Sequence, residues 1–206
     1  MRLYMFEHCS LCFRVRTTAA LKGVHLQQEV VLDDDSETMI ALVGKRQIPI
    51  LVKDDGKPML ESMEMVQHID GIGEPILTGP ERPEIVVPKT GPLTMPRYPL
   101  LGLPEFVTQA ALDHYTMRKR KSFGDFVELR AKTRQYLEEL APSFDALDRL
   151  IESPSAVNGM LSMDDIRVLP LLRSAGVVKG LRFPPKVWDY FETMMSRIGY
   201  QPLPAV

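Results

Sequence analysis

Five residues, His8-Cys9-Ser10-Leu11-Cys12, limit the fold of this chain more than any others, and they hold the only two cysteines among its 206 residues. The run Arg2-Leu3-Tyr4-Met5-Phe6 before them has the length and apolar character of a strand, and Leu11 to Val24 after them is rich in helix formers. Two cysteines spaced C-x-x-C can close a disulfide across one helical turn. The order strand, C-x-x-C, helix therefore predicts a reactive thiol at a helix N-terminus.

An ordinary thiol, with a pKa of about 8.5, is only a few per cent ionised near neutrality, and the thiolate is the nucleophile. At the start of a helix Cys9 would meet the macrodipole and unpaired N–H groups. The dipole is worth roughly 0.3 to 2 kcal/mol, or at most about 1.5 pKa units, so further lowering needs hydrogen bonds or cations. His8, Arg14 and Arg16 are the candidates nearby. Zinc would need two more ligands, and His8, His25, His68 and His114 are too scattered to supply them, so no metal is expected. A purely structural disulfide would close too short a loop to restrain the unfolded chain, which leaves thiol–disulfide chemistry of a thioredoxin-like kind.

Composition sets the compartment and excludes several partners. Hydrophobic residues make up 45% and charged residues 25%, as in an ordinary globular chain long enough for a large core. A net charge of -2 argues against nucleic acid, and the one basic run, Arg118-Lys119-Arg120-Lys121, reads as a solvated helix end. No apolar stretch approaches the ~20 residues of a membrane span. The chain opens on a strand without a basic, apolar and small-residue signal order, so a cytoplasmic protein whose C-x-x-C cycles is the expectation.

The first half continues with a β-branched strand at Leu26 to Leu32, then Asp33-Asp34-Asp35-Ser36 as an acidic cap for a helix that runs through Leu42 and ends at Gly44. Ile48-Pro49-Ile50-Leu51-Val52 reads as a strand with proline at its start, where no ladder donor is required. Asp54-Asp55-Gly56 turns the chain into Met59-Leu60, and Glu61-Ser62-Met63-Glu64 begins a helix with Ser62 as N-cap. Residues 73–83 are rich in glycine and proline and read as a linker between domains at 1–72 and 84–206. Beyond it, Phe106 to Lys119 and Phe126 to Glu152 are helical in composition, with Leu137, Leu140, Phe144, Leu147 and Ile151 on one face and a break or kink expected at Pro142. Ser162-Met163-Asp164-Asp165 forms a capping box before the apolar Val168-Leu169-Pro170-Leu171-Leu172, which suits a buried central helix.

The βαβα, hairpin, helix order resembles the thioredoxin-like domain of glutaredoxins and glutathione transferases. Met1 to Cys12, Val43-Gly44 through Ile50-Leu51, Glu61-Ser62-Met63, Leu77-Thr78-Gly79 and Ala156-Val157-Asn158-Gly159 through Leu171-Leu172-Arg173 together resemble the glutaredoxin 2 family, large bacterial glutaredoxins built like a glutathione transferase. The resemblance spans nearly the whole chain. It departs at Ser10-Leu11, where Pro-Tyr is usual, and at Pro88, Pro92, Pro96, Pro99 and Pro104, which crowd the place of a first long helix in the second domain. Each proline inside a helix removes a donor and costs about 3 kcal/mol.

The resemblance implies an α/β thioredoxin-like N-terminal domain, an all-α C-terminal domain and a cis proline at Pro49 beside the active thiol. It implies a monomeric, glutathione-dependent thiol–disulfide oxidoreductase acting on protein disulfides and glutathionylated proteins. Cys9 would attack and Cys12 resolve. Glutathione, the co-substrate, would be held by Ile48, Pro49, Glu61 and Ser62, with Arg46 or Gln47 at its glycine carboxylate. For Ser62 the physics agrees, because a hydroxyl and the first N–H groups of a helix form a receptor for a carboxylate. The rival readings are a glutathione transferase, for which a second cysteine at +3 has no use, and a non-catalytic module binding an iron–sulfur cluster.

Overall fold

The computed structural model describes all 206 residues, which pack as two units: residues 1–74 with 102–122, and residues 75–101 with 123–206. In the first unit, β1 (Arg2–Met5) leads through Cys9 into α1 (Ser10–Lys22), followed by β2 (Gln27–Val30) and α2 (Ser36–Val43). Next come β3 (Ile50–Val52), β4 (Pro58–Met59) and α3 (Ser62–Asp70). The sheet order is β2-β1-β3-β4, with β1 parallel to β2 and antiparallel to β3, and β3 antiparallel to β4.

Strand alternation divides the core between the two faces of the sheet. Leu3, Met5 and Leu51 pack with Cys12, Val15 and Ala19 of α1 and Met65 and Ile69 of α3, whereas Phe6 and Ile50 pack with Val31 and Met39 on the other side. Partly buried Cys9 and Ile48 border both clusters, so Cys9 sits where the two halves of the core meet at the end of β1. Gly44 ends α2 with φ 75°, a left-handed cap that suits glycine.

The expected cap of α2 is Asp35, whose side chain accepts from Thr38 N at 3.0 Å. For α3 the expected N-cap moves by one residue. Glu61 is extended (φ -94°, ψ 120°) and its carbonyl accepts from Met65 N at 3.0 Å, so Glu61 is the cap and Ser62 the first helical residue.

The proline-crowded stretch contains only short helical pieces: α4 (Gly91–Thr94), and single turns at Tyr98–Leu100 and Pro104–Phe106. Regular helix resumes with α5 (Gln109–Phe123), α6 (Phe126–Ala131), α7 (Thr133–Leu150), α8 (Met163–Ala175) and α9 (Pro185–Ile198). The break expected at Pro142 falls instead at Lys132, and α7 runs through the proline. Tertiary packing offsets the lost donor there, because Leu140, Phe144 and Leu147 are buried on one side of α7.

α8 is the buried centre of the second unit, with all of its residues from Asp164 onward buried except Arg167. Its capping box is present: Ser162 N donates to Asp165 Oδ2 at 2.8 Å, and the Ser162 side chain accepts from the first turn. Asp165 Oδ1 also accepts from Val157 N at 2.8 Å and from the Tyr190 hydroxyl at 3.0 Å, tying a loop and α9 to the same cap. The end of the linker is bound to this unit. Gly79 N donates to Leu161 O at 2.7 Å, and a Cβ on Gly79 would lie 2.5 Å from Met160 O, so the close approach requires glycine. Arg82 donates from its backbone to Asp164 Oδ2 at 2.8 Å and from Nε to Asn158 Oδ1 at 2.6 Å.

Candidate functional site

Cys9 is the N-cap of α1, extended at φ -73° and ψ 114°, and its sulfur accepts from Cys12 N at 3.3 Å. Phe13 N bonds to Cys9 O at 2.9 Å, so Cys9 itself opens the helix and its sulfur takes the place of a capping oxygen. Both cysteines are reduced; Cys9 is partly exposed and Cys12 fully buried.

The environment separates the two thiols. A hydrogen bond from the Cys12 side chain, opposed by burial, together with the charge of His8 and the backbone N–H groups of Cys12 and Leu11, lowers Cys9 to about 6. Burial, then the hydrogen bond and charge of Cys9, push Cys12 well above the ordinary thiol range. Near neutrality the pair is a thiolate beside a thiol, as an attacking and a resolving sulfur require. Of the three cations proposed from sequence, His8 acts on Cys9, while Arg16 acts on Cys12 and pairs with Glu7 at 2.9 Å.

The Ile48–Pro49 bond is cis, and Pro49 is buried at the start of β3. Glu61 is exposed and Ser62 buried at the N-terminus of α3, whose first N–H groups have no partner within the helix. Gln47 Nε2 donates to Leu60 O at 2.7 Å, joining the loop before β3 to the residue before Glu61. Arg46 turns the other way, its Nη2 lying 2.6 Å from Asp33 O and 3.3 Å from Asp33 Oδ1.

That ion pair leads to residues that sequence reasoning missed. Asp33, fully buried, also meets His114 Nδ1 at 2.8 Å and Arg118 Nη2 at 2.9 Å, so two arginines and a histidine surround one carboxylate. Its backbone N donates to Glu105 O at 3.1 Å. Glu105, also fully buried, accepts from His8 N at 2.9 Å, and its Oε1 lies 2.6 Å from His8 Nδ1. The His8 ring stacks between Phe6 and Phe106, with Tyr115 edge-on.

The basic run of α5 is therefore more than a solvated helix end. Arg118 neutralises Asp33, and Lys119 lies 5.9 Å from the centre of the Tyr115 ring. Burial and the neighbouring Arg118 lower Lys119, while Asp33 and Cys9 act to raise it. The available signal was a single acidic residue, Glu105, in the otherwise uncharged stretch Leu100 to Val107. A separate cleft of about 540 Å³ in the second unit, between α7 and residues 180–184, is lined by none of the candidate catalytic or glutathione-binding residues.

Comparisons with known proteins place both halves of the chain in known families. Residues 3–75 match the glutathione S-transferase N-terminal domain, and residues 84–201 match the glutaredoxin 2 C-terminal domain. The chain is 39% identical to glutaredoxin 2 of Escherichia coli K12 over 204 residues, covering 96% of this chain and 95% of that one. Glutaredoxin 2 of Salmonella typhimurium, solved in complex with glutathione, superposes with a TM-score of 0.94 at 34% identity, covering 98% and 96% of the two chains. A maleylacetoacetate isomerase from Methylobacterium extorquens AM1 shares the fold alone, with a TM-score of 0.60 at 16% identity over the full length of both chains. With a C-x-x-C at the head of α1, a cis proline at β3 and both domain matches in order along its length, this chain belongs to the glutaredoxin 2 family.

Proposed function

We propose that this glutaredoxin reduces protein disulfides and glutathione mixed disulfides with glutathione, through a Cys9/Cys12 dithiol. The observation that carries the reading is the Cys9 sulfur at the mouth of α1, accepting the Cys12 N–H at 3.3 Å with the Cys12 thiol beside it.

In the first step Cys9 thiolate attacks one sulfur of a protein disulfide, forming a mixed disulfide and expelling the other sulfur as thiolate. Cys12 then loses its proton and attacks the Cys9 sulfur, which releases the reduced protein and closes the Cys9–Cys12 disulfide. One glutathione thiolate opens that bond to give Cys9 glutathionylated and Cys12 reduced. A second attacks the glutathione sulfur, leaving Cys9 as thiolate and glutathione disulfide as product. Glutathionylated proteins enter this cycle when Cys9 attacks the glutathione sulfur, so only the last step is then needed. Glutaredoxin potentials of about -200 to -230 mV lie close to the glutathione pool, so concentrations can drive the cycle in either direction.

For glutathione we assign the Ile48 backbone and Pro49 to the peptide, Glu61 and Ser62 to its γ-glutamyl end, and Arg46 or Gln47 to its glycine carboxylate. The buried N-terminus of α3 supports the γ-glutamyl assignment, since its unpaired N–H groups favour an anion. Residues 1–72 are taken as the catalytic domain, 73–83 as the linker and 84–206 as the helical domain. No helix is long and apolar enough to cross a membrane, and we place the protein in the cytoplasm as a monomer.

Cys9→Ser should abolish turnover of glutathione mixed disulfides, whereas Cys12→Ser should keep it and lose reduction of protein disulfides by the dithiol route. Full turnover by Cys9→Ser would reject Cys9 as nucleophile. A purified protein that conjugates a chlorinated aromatic electrophile but does not turn over mixed disulfides would belong with the transferases in activity.

A further inference from the structure

We infer that Glu105 is a positioning residue for the redox centre: it accepts the Nδ1 proton of His8 and so favours the charged form of the ring that adjoins Cys9 in the chain. The inference rests on Cys9 being the nucleophile, and it adds a carboxylate delivered from 97 positions along the chain.

The geometry at Glu105 is specific. Its Oε1 accepts the His8 backbone N–H at 2.9 Å and lies 2.6 Å from Nδ1. An ionised carboxylate has no proton to give, so the short contact requires the hydrogen to be on the imidazole nitrogen. Glu105 is fully buried and its Oε2 has no hydrogen-bond partner. A residue kept only to satisfy the His8 backbone would need neither that second oxygen nor a charge, and a buried carboxylate is retained as an ion only against a cation. Burial works to raise Glu105, yet the hydrogen bond and charge of His8 prevail and hold it below the ordinary carboxylate value.

The ring of His8 explains why a partner is necessary. It is 7% exposed, with ring centres of Phe6 and Phe106 at 5.7 and 5.3 Å and that of Tyr115 at 5.3 Å. An imidazolium in such an apolar box loses hydration and gives up its proton unless a carboxylate compensates. Glu105 supplies that compensation on the ring, while the neighbouring residue in the chain is Cys9. The Cys12 thiol, His8 and the backbone N–H groups of Cys12 and Leu11 act on Cys9, and Lys119 of α5 also interacts with it. The Glu105 backbone carbonyl accepts from Asp33 N, and the Asp33 carboxylate meets Arg46, His114 and Arg118.

The test is a titration of the Cys9 thiolate absorbance in the reduced, full-length protein, its Glu105→Gln and His8→Phe variants, and the double variant. We expect Glu105→Gln to raise the midpoint from about 6 by about 1 unit or more, and the double variant to titrate like His8→Phe alone. A folded Glu105→Gln protein with an unchanged midpoint would overturn the inference, as would an equal Glu105 effect in the His8→Phe background. If the variants do not fold, nitrogen NMR of His8 in the unaltered protein decides: Nδ1 should carry a proton at neutral pH. A bare Nδ1 there would also overturn it. Failure of the unaltered protein to turn over mixed disulfides would instead reject the functional reading, and these titrations would remain interpretable.

Discussion

The three-residue step from Cys9 to Cys12 places two identical groups in unlike surroundings, one capping a helix and the other inside the core. The former gains hydrogen-bond donors for its negative charge, and the latter gains a sulfur to which it can donate. Alkylation of the reduced protein should therefore modify Cys9 alone at neutral pH, with a rate that is half-maximal at about pH 6. Peptide mapping checks the site, and a half-maximal rate near the ordinary thiol value would show that the helix start does not hold a thiolate. Cys9, Cys12 and Pro49 were legible because each belongs to a short pattern in one stretch of chain. Asp33 and Glu105 were not, since their meaning depends on His114 and Arg118, 81 and 85 positions beyond Asp33, and on His8, 97 positions before Glu105. Nothing local distinguishes Asp33 from Asp34 and Asp35, yet only Asp33 is fully buried among cations.

Among the elements, those whose ends carry their own chemistry were read most closely. α1 begins where the C-x-x-C requires, α2 stops at Gly44, and α8 opens with the capping box of Ser162 and Asp165. Ser162→Ala should destabilise the second unit by about 1 kcal/mol, seen as a lower urea midpoint. Asp165→Ala should cost more, because the same carboxylate also accepts from Val157 N and Tyr190. An equal or smaller loss for Asp165→Ala would mean that those two bonds add nothing. Proline was the less dependable signal. Between Pro88 and Pro104 five of them do prevent a long helix, but Pro142 is accommodated inside α7, where a buried face outweighs one missing donor. The basic run of α5 was correctly read as helix, yet which of its cations face Asp33 depends on how the segment folds back.

At the scale of the molecule, the low Cys9 value makes stability depend on pH while the protein is reduced. Folding lowers this acid from an unfolded value of 9.0 to about 6, so its contribution is complete above the unfolded value and lost as pH falls through the folded one. At pH 7 it amounts to on the order of 1 kcal/mol, still rising toward pH 9. Urea unfolding of the reduced protein from about pH 5 to about pH 9, compared with Cys9→Ser, should show this increment only where the thiol is present. Parallel curves for the two proteins would contradict it.

The stretch from Gly102 to Ser122 packs with residues 1–74, although it follows the linker in the chain. A ribosome makes both cysteines early and Glu105, His114, Arg118 and Lys119 much later. Until the later segment has emerged, His8 lacks its carboxylate partner and Asp33 two of the three side chains that meet it. The surroundings of the two cysteines are thus completed late in synthesis, and a chain aborted before residue 102 carries both of them without Glu105, the partner of His8.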